Sequence, residues 1–206
     1  MSSEDHTSTP LQAAANSGNS DLVRKLVEEG EDTDANRGQL QPALIEATMN
    51  GQEEVVQILL EAGANVNISS QGRSALDQAI EHGYENIAEM LLYAGADVKG
   101  ADSFSMLRPL YAAAGSGLTK VVELLIEKGA DVNHERFSMG TALTAASKSG
   151  HAVIVSHLLN AWADVNAADE ESGCALHGAL SHDFPVRRDD TGRRSPTTSM
   201  SRPFWL

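Results

Sequence analysis

The chain has 206 residues, of which 15 are basic and 29 acidic, for a formal charge of −14 at neutral pH. Such a charge repels phosphate backbones and anionic lipid surfaces, so direct nucleic-acid binding and membrane binding are not expected. Cys174, the single cysteine, excludes an intramolecular disulfide, and no apolar run approaches the ~20 residues of a membrane span.

Residues 1–7 form a polar, acidic segment without the basic and apolar regions of a signal peptide, so the expected location is the cytoplasm, with the nucleus as a second place. From residue 8 the sequence repeats itself. Leu11, Leu44, Leu76, Leu110, Leu143 and Leu176 align at steps of 32 to 34 residues, and three places after each stands alanine: Ala14, Ala47, Ala79, Ala113, Ala146 and Ala179. Seven places on come Gly18, Gly51, Gly83, Gly117 and Gly150; fifteen on, Leu26, Leu59, Leu91, Leu125 and Leu158; nineteen on, Gly30, Gly63, Gly95 and Gly129. A shared period of this size marks a repeat array.

Each copy predicts the same elements in order. A short alanine-rich helix, as in LYAAAGSG, lets another backbone approach closely and is broken by glycine. A second helix with apolar residues at a 3.6 period follows, as in Val121, Val122, Leu124, Leu125 and Ile126, and ends at a glycine suited to a left-handed turn. An extended polar connection then leads to the next copy. The copies span about 8–40, 41–72, 73–106, 107–139 and 140–172, with a partial sixth at 173–183. One helix pair cannot hide its apolar face alone, so the copies must stack.

The stretches TPLQAAANSGNSDLVRKLVEEG, GQEEVVQILLEAGANVN, ENIAEMLLYAGADV and SGLTKVVELLIEKGADVN resemble ankyrin repeats. The resemblance covers residues 8–183 and implies an all-α solenoid of stacked antiparallel helix pairs with β-hairpin-like fingers between them. The family's TPLH opening is complete nowhere: Thr9-Pro10-Leu11 is followed by Gln12, and His177 alone fills the histidine place, beside Cys174 where threonine is usual. Trp162 holds the fifth copy's glycine place, where a left-handed backbone would cost roughly 1 kcal/mol or more, so that turn is expected to be rebuilt. In copy six Asp183 replaces the turn glycine, Phe184-Pro185 interrupts, and no second helix follows. Residues 184–206, rich in Arg, Ser, Thr and Pro, are expected to be a disordered basic tail. Either Phe204-Trp205-Leu206 folds back as a cap, or this end of the array frays.

No catalytic, metal-binding or cofactor-binding constellation stands out, and no cofactor is expected. GSGLTK at 115–120 fails the phosphate-loop pattern, and its Gly117 falls on the repeat's turn. The histidines His82, His134, His151, His157, His177 and His182 show no metal-ligand spacing and are read as surface or capping residues. Asn67, Asn133 and Asn166 are similar to asparagines that ankyrin proteins present to an asparaginyl hydroxylase, but a turn residue bonding its own backbone is the stronger reading. Arg193-Arg194-Ser195-Pro196 has the form of a phosphorylation site.

The triplet Phe-Ser-Met occurs twice, at 104–106 and 137–139, each time six places before the repeat leucine. Phe104, Met106, Phe137 and Met139 therefore belong to successive fingers and form one apolar patch, or else each folds against its neighbours. By the resemblance, the positions before the turn glycines, Met49, Asn50, Glu81, His82, Ser116, Lys148 and Ser149, line the inner face. The chain is thus expected to be a monomeric, noncatalytic protein-interaction module that grips another protein with its concave face and finger tips. One alternative is a regulatory inhibitor masking a basic surface of an enzyme or transcription factor. Another is a fragment of a larger multidomain enzyme or scaffold.

Overall fold

In a computed structural model, the described residues are 9–30, 34–67, 69–70, 72–99, 109–135, 140–169 and 173–174. The repeat appears in them as alternating helices: α1 (Pro10–Ser17), α2 (Ser20–Glu28), α3 (Asp34–Met49), α4 (Glu53–Glu61), α5 (Ala75–Glu81), α6 (Glu85–Tyr93), α7 (Pro109–Ser116), α8 (Thr119–Glu127), α9 (Ala142–Lys148) and α10 (Ala152–Asn160). Two antiparallel hairpins lie between copies. In one, β1 (Ser69–Ser70) pairs with β2 (Arg73–Ser74), Ser69 opposite Ser74; in the other, β3 (Ala168–Asp169) pairs with β4 (Gly173–Cys174), Ala168 opposite Cys174.

The odd-numbered helices pack side by side in one row and the even-numbered helices in a second. The columns read from the sequence are the seams. Leu44, Leu76 and Leu143 and the alanines Ala47, Ala79, Ala113 and Ala146 are buried in one continuous apolar core with Leu59, Leu91, Leu125 and Leu158. The alanines also close the helix ends. In every described copy the amide five residues later donates to the alanine carbonyl: Asn19 to Ala14 at 3.0 Å, Gln52 to Ala47 at 2.9 Å, Tyr84 to Ala79 at 2.8 Å, Leu118 to Ala113 at 3.1 Å and His151 to Ala146 at 2.9 Å. This six-to-one bond requires a left-handed residue before it. At Gly18, Gly51 and Gly117 a second constraint acts, and at the last two the obstacle is a ring. A Cβ on Gly117 (φ 80°) would stand 2.7 Å from the His151 ring, and one on Gly51 (φ 69°) 2.9 Å from the Tyr84 ring, because the next copy lays its side chain over the turn.

Helix starts explain a departure from expectation. Thr9 and Ser74 each cap the helix that follows, accepting from the amides of Gln12 and Asp77, and each donates its own amide in return to the side-chain oxygen of Gln12 or Asp77. At the same place copy two has Pro42, which offers no hydroxyl, and the helix runs back to Asp34 with Pro42 inside it. The connection between copies one and two is therefore helical from residue 34, not extended. Thr141, at that place in copy five, makes no side-chain cap bond.

The turn at Trp162 is not rebuilt. Trp162 has φ 66°, unique among non-glycine residues described, and the bonds are those of the glycine copies: its amide donates to Leu159 at 3.1 Å and the Ala163 amide to Leu158 at 3.0 Å, against 3.0 Å and 2.9 Å for Gly129 and Ala130. The repeating core sets the backbone, and the residue follows it.

Candidate binding surface

The last turn of each first-row helix presents two adjacent residues before the turn glycine: Asn16-Ser17, Met49-Asn50, Glu81-His82, Gly115-Ser116 and Lys148-Ser149. Because the first-row helices lie side by side, these pairs form a row about 10 Å apart. Met49 is 41% exposed, large for an unpaired thioether at a helix end. The Asn50 amide donates to Asn16 Oδ1 at 2.9 Å and to the Glu46 carbonyl at 2.8 Å, tying copies one and two. Glu81 pairs with Arg73 of the hairpin, which brings that finger down onto α5. His82 Nδ1 lies 2.9 Å from the Gln78 carbonyl, so this nitrogen is the donor, and the ring stacks on Tyr84 with centroids 5.7 Å apart. Ser116 and Ser149 are exposed and Lys148 half-buried.

Below this row sits one perturbed carboxyl. Asp77 is buried at the start of α5; burial pushes its pKa above the ordinary 3.8, against hydrogen bonds from the Ser74 backbone and hydroxyl and the nearby charge of Arg73. Among the described residues its Oδ1 has no hydrogen-bond partner. Phe104, Met106, Phe137 and Met139 lie outside the described residues. So do His177 and His182, and the tail from 184.

The second row differs in chemistry. Its helices carry Asp21 and Glu28, then Glu53, Glu54 and Glu61, Glu85 and Glu89, and Glu123 and Glu127, while α10 has no carboxylate. Several of these stitch copies together: Glu53 accepts from Asn86 at 3.0 Å, Glu85 from the Lys120 amide at 3.1 Å, and Glu123 lies 3.2 Å from His157 Nε2. His151 stands at the N-cap position of α10 and rests half-buried on the preceding copy, its Nε2 3.1 Å from the Gly115 carbonyl in the last turn of α7.

The asparagines do more than bond their own turns. Asn67 donates to the Gly95 carbonyl at 3.2 Å and accepts from the Asp97 amide at 2.8 Å; Asn133 does the same with Trp162 at 3.1 Å and Asp164 at 2.7 Å. Each clamps the next copy's loop. Local backbone bonding falls instead to Asn65, Asp97, Asp131 and Asp164, two residues ahead of the amides they cap. Lys99 stands at the asparagine place in copy three. Sequence reasoning also passed over an exposed edge in which the Lys128 ammonium lies 5.7 Å from the centre of the Tyr93 ring. No helix among the described residues is long and apolar enough to cross a membrane.

The repeated seams and the fingers are matched by a family profile, ankyrin repeats in three copies, over residues 11–102 and 110–186. The chain belongs to the ankyrin-repeat family. Mouse ankyrin repeat and SOCS box protein 16 is 40% identical over 124 residues, which are 60% of this chain and 27% of that protein, so the match spans about a quarter of the relative. The crystal structure of the human ASB11 ankyrin repeat domain superposes with a TM-score of 0.66 at 24% identity, covering 90% of this ankyrin chain and 89% of that one. At this identity the likeness concerns the fold.

Proposed function

We propose that this ankyrin array is a noncatalytic recognition module that holds a protein partner along the first-row helices and the finger tips. One observation carries the reading. The buried columns repeat leucine with leucine and alanine with alanine, whereas the place five after each leucine, exposed at Asn16, Met49 and Glu81 and half-buried at Gly115 and Lys148, changes in every copy. Packing does not require that variety; a surface complementary to one irregular partner does. The stack is already ordered, so binding orders few side chains and little backbone. In the mouse relative the name places a SOCS box beside ankyrin repeats, and by that likeness this array is the partner-reading portion of an adaptor. Phe104, Met106, Phe137 and Met139 are proposed as apolar anchors at the tips.

The acidic second row favours a second reading, in which the module masks a basic surface of an enzyme or transcription factor. Affinity capture followed by mass spectrometry separates the two. Met49→Arg with Lys148→Glu is expected to deplete the captured partner with an unchanged melting curve, as is Phe104→Ala with Phe137→Ala. If those variants capture normally while Glu54→Lys with Glu61→Lys does not, and capture falls steeply with salt, the first-row reading is wrong and the basic-partner reading replaces it.

A further inference from the structure

The two rows end differently at copy five. On α9, every residue from Ala142 to Ser147 is buried. On α10 the side facing away from copy four is open. Ala152, Val155, Ser156 and Leu159 occupy the places that in upstream copies face the next second-row helix, as Glu53, Glu89 and Glu123 do. Val155 is only half-buried where Val23, Val56, Ala88 and Val122 are fully buried. Leu159 is 41% exposed, where Leu92 is 0% and Val27, Leu60 and Ile126 are half-buried; Val165, in the loop beyond, is 54% exposed, where Val66 is 8% and Val98 and Val132 are half-buried. Among the described residues, the second row thus ends on a partly exposed apolar face.

We propose that residues 204–206, Phe-Trp-Leu, are the occupant, packing on the α10 face as an intramolecular substitute for the missing sixth second-row helix. Three features select this segment. First, Cys174 ends a hairpin like the one before α5, and residues 174–183 carry only the first-helix pattern, so the sequence beyond supplies no amphipathic second helix. Second, reach is ample. The ~20 residues between Asp183 and Phe204 have a coil dimension of about 25 Å, and α10, with nine residues, is ~14 Å long. Tethering at that distance gives an effective concentration near the millimolar range. Third, charge favours the approach. Of the chain's 15 basic and 29 acidic side chains, five arginines and two aspartates fall within 184–206, leaving 10 against 27 upstream. Arg202 stands two residues before Phe204. Ala152 and Ser156, both small, leave room for an indole between Val155 and Leu159.

The two tryptophans make the test direct. Trp162→Gly leaves Trp205 as the sole indole and restores the glycine of the other copies. In the full chain, Trp205 emission is expected to lie to the blue of the same residue in a synthetic peptide of 184–206, with acrylamide quenching several-fold weaker. Leu159→Asp is expected to return both to the peptide values. Phe204→Ser with Leu206→Ser, which leaves the array untouched, is expected to do the same and to speed amide exchange along α10. Peptide-like emission in the full chain, indifferent to Leu159→Asp, would overturn the proposal. A blue shift that fades on dilution together with a dimer mass would also overturn it, by assigning the face to a second copy.

Discussion

Trp162→Gly is the sharpest probe of how the array imposes backbone on sequence. The indole is 87% exposed, so removing it sacrifices little packing, and at Gly63, Gly95 and Gly129 nothing lies within 4 Å of an added Cβ. The turn's hydrogen bonds and the Asn133 bond to the Trp162 carbonyl use main-chain atoms and survive the change. What remains is the penalty of φ 66° on a residue with a Cβ, about 1 kcal/mol. Relieving it raises the melting temperature by about 2–4 °C for a chain of this size. Gly129→Trp, which installs the same strain one copy earlier, lowers stability by a similar amount. Urea unfolding followed by circular dichroism measures both. A Trp162→Gly midpoint equal to or below that of the parent would refute the reasoning, because the ring would then hold packing that offsets its dihedral.

Three other substitutions follow from contacts between copies. Lys99→Asn puts the clamp side chain beside the Gly129 carbonyl and the Asp131 amide, across the shallow groove between copies three and four. A net gain of about 1 kcal/mol is expected, read as slower hydrogen exchange of the Asp131 amide. Gly117→Ala combines a left-handed backbone with a Cβ 2.7 Å from His151, so it costs at least ~1–2 kcal/mol. Adding His151→Ala recovers the clash and not the dihedral, which a double-mutant cycle in urea separates. Asp77 has a raised folded pKa, so the native state binds more protons than the unfolded chain above pH 3.8, and this group's contribution falls as pH rises through that window. Asp77→Asn removes that component, and the stability difference between variant and parent should grow in the variant's favour as the pH increases from about 4; a difference independent of pH would count against it.

Much of the fold was legible because the same local geometry recurs and each recurrence admits few residues. A six-to-one bond needs a left-handed residue before it and a close seam needs alanine, so Gly18 and Ala14 announce a helix end and a contact at once. Legibility failed where neighbours overrule local preference. A left-handed dihedral at Trp162 carries a penalty, but the Leu158 and Leu159 carbonyls and the Asn133 side chain that hold the turn belong to the assembled stack. Helix α3 begins early and carries Pro42 inside it, against the local preference that a proline ends or starts a helix. Asn67 spends its side chain on atoms 28 and 30 residues away, a choice visible only after stacking. Of the candidate site, the first-row positions lie at the helix ends, while the four finger anchors fall outside the described residues.

On the proposed reading, stability and recognition fall at different places in one register, which sets what each substitution can do. A change at the leucine or alanine column opens or overfills a seam shared by two copies and is expected to act on folding first. At the fifth place after the leucine, Asn16, Met49, Glu81, Gly115 and Lys148 differ in charge, size and polarity, yet the helices that carry them end with the same bond. The scaffold therefore tolerates any of these side chains there. The partner, if it reads this row, must discriminate among them, so exchanging Met49 with Lys148 should leave unfolding unchanged and still lower capture, an outcome that composition alone cannot produce.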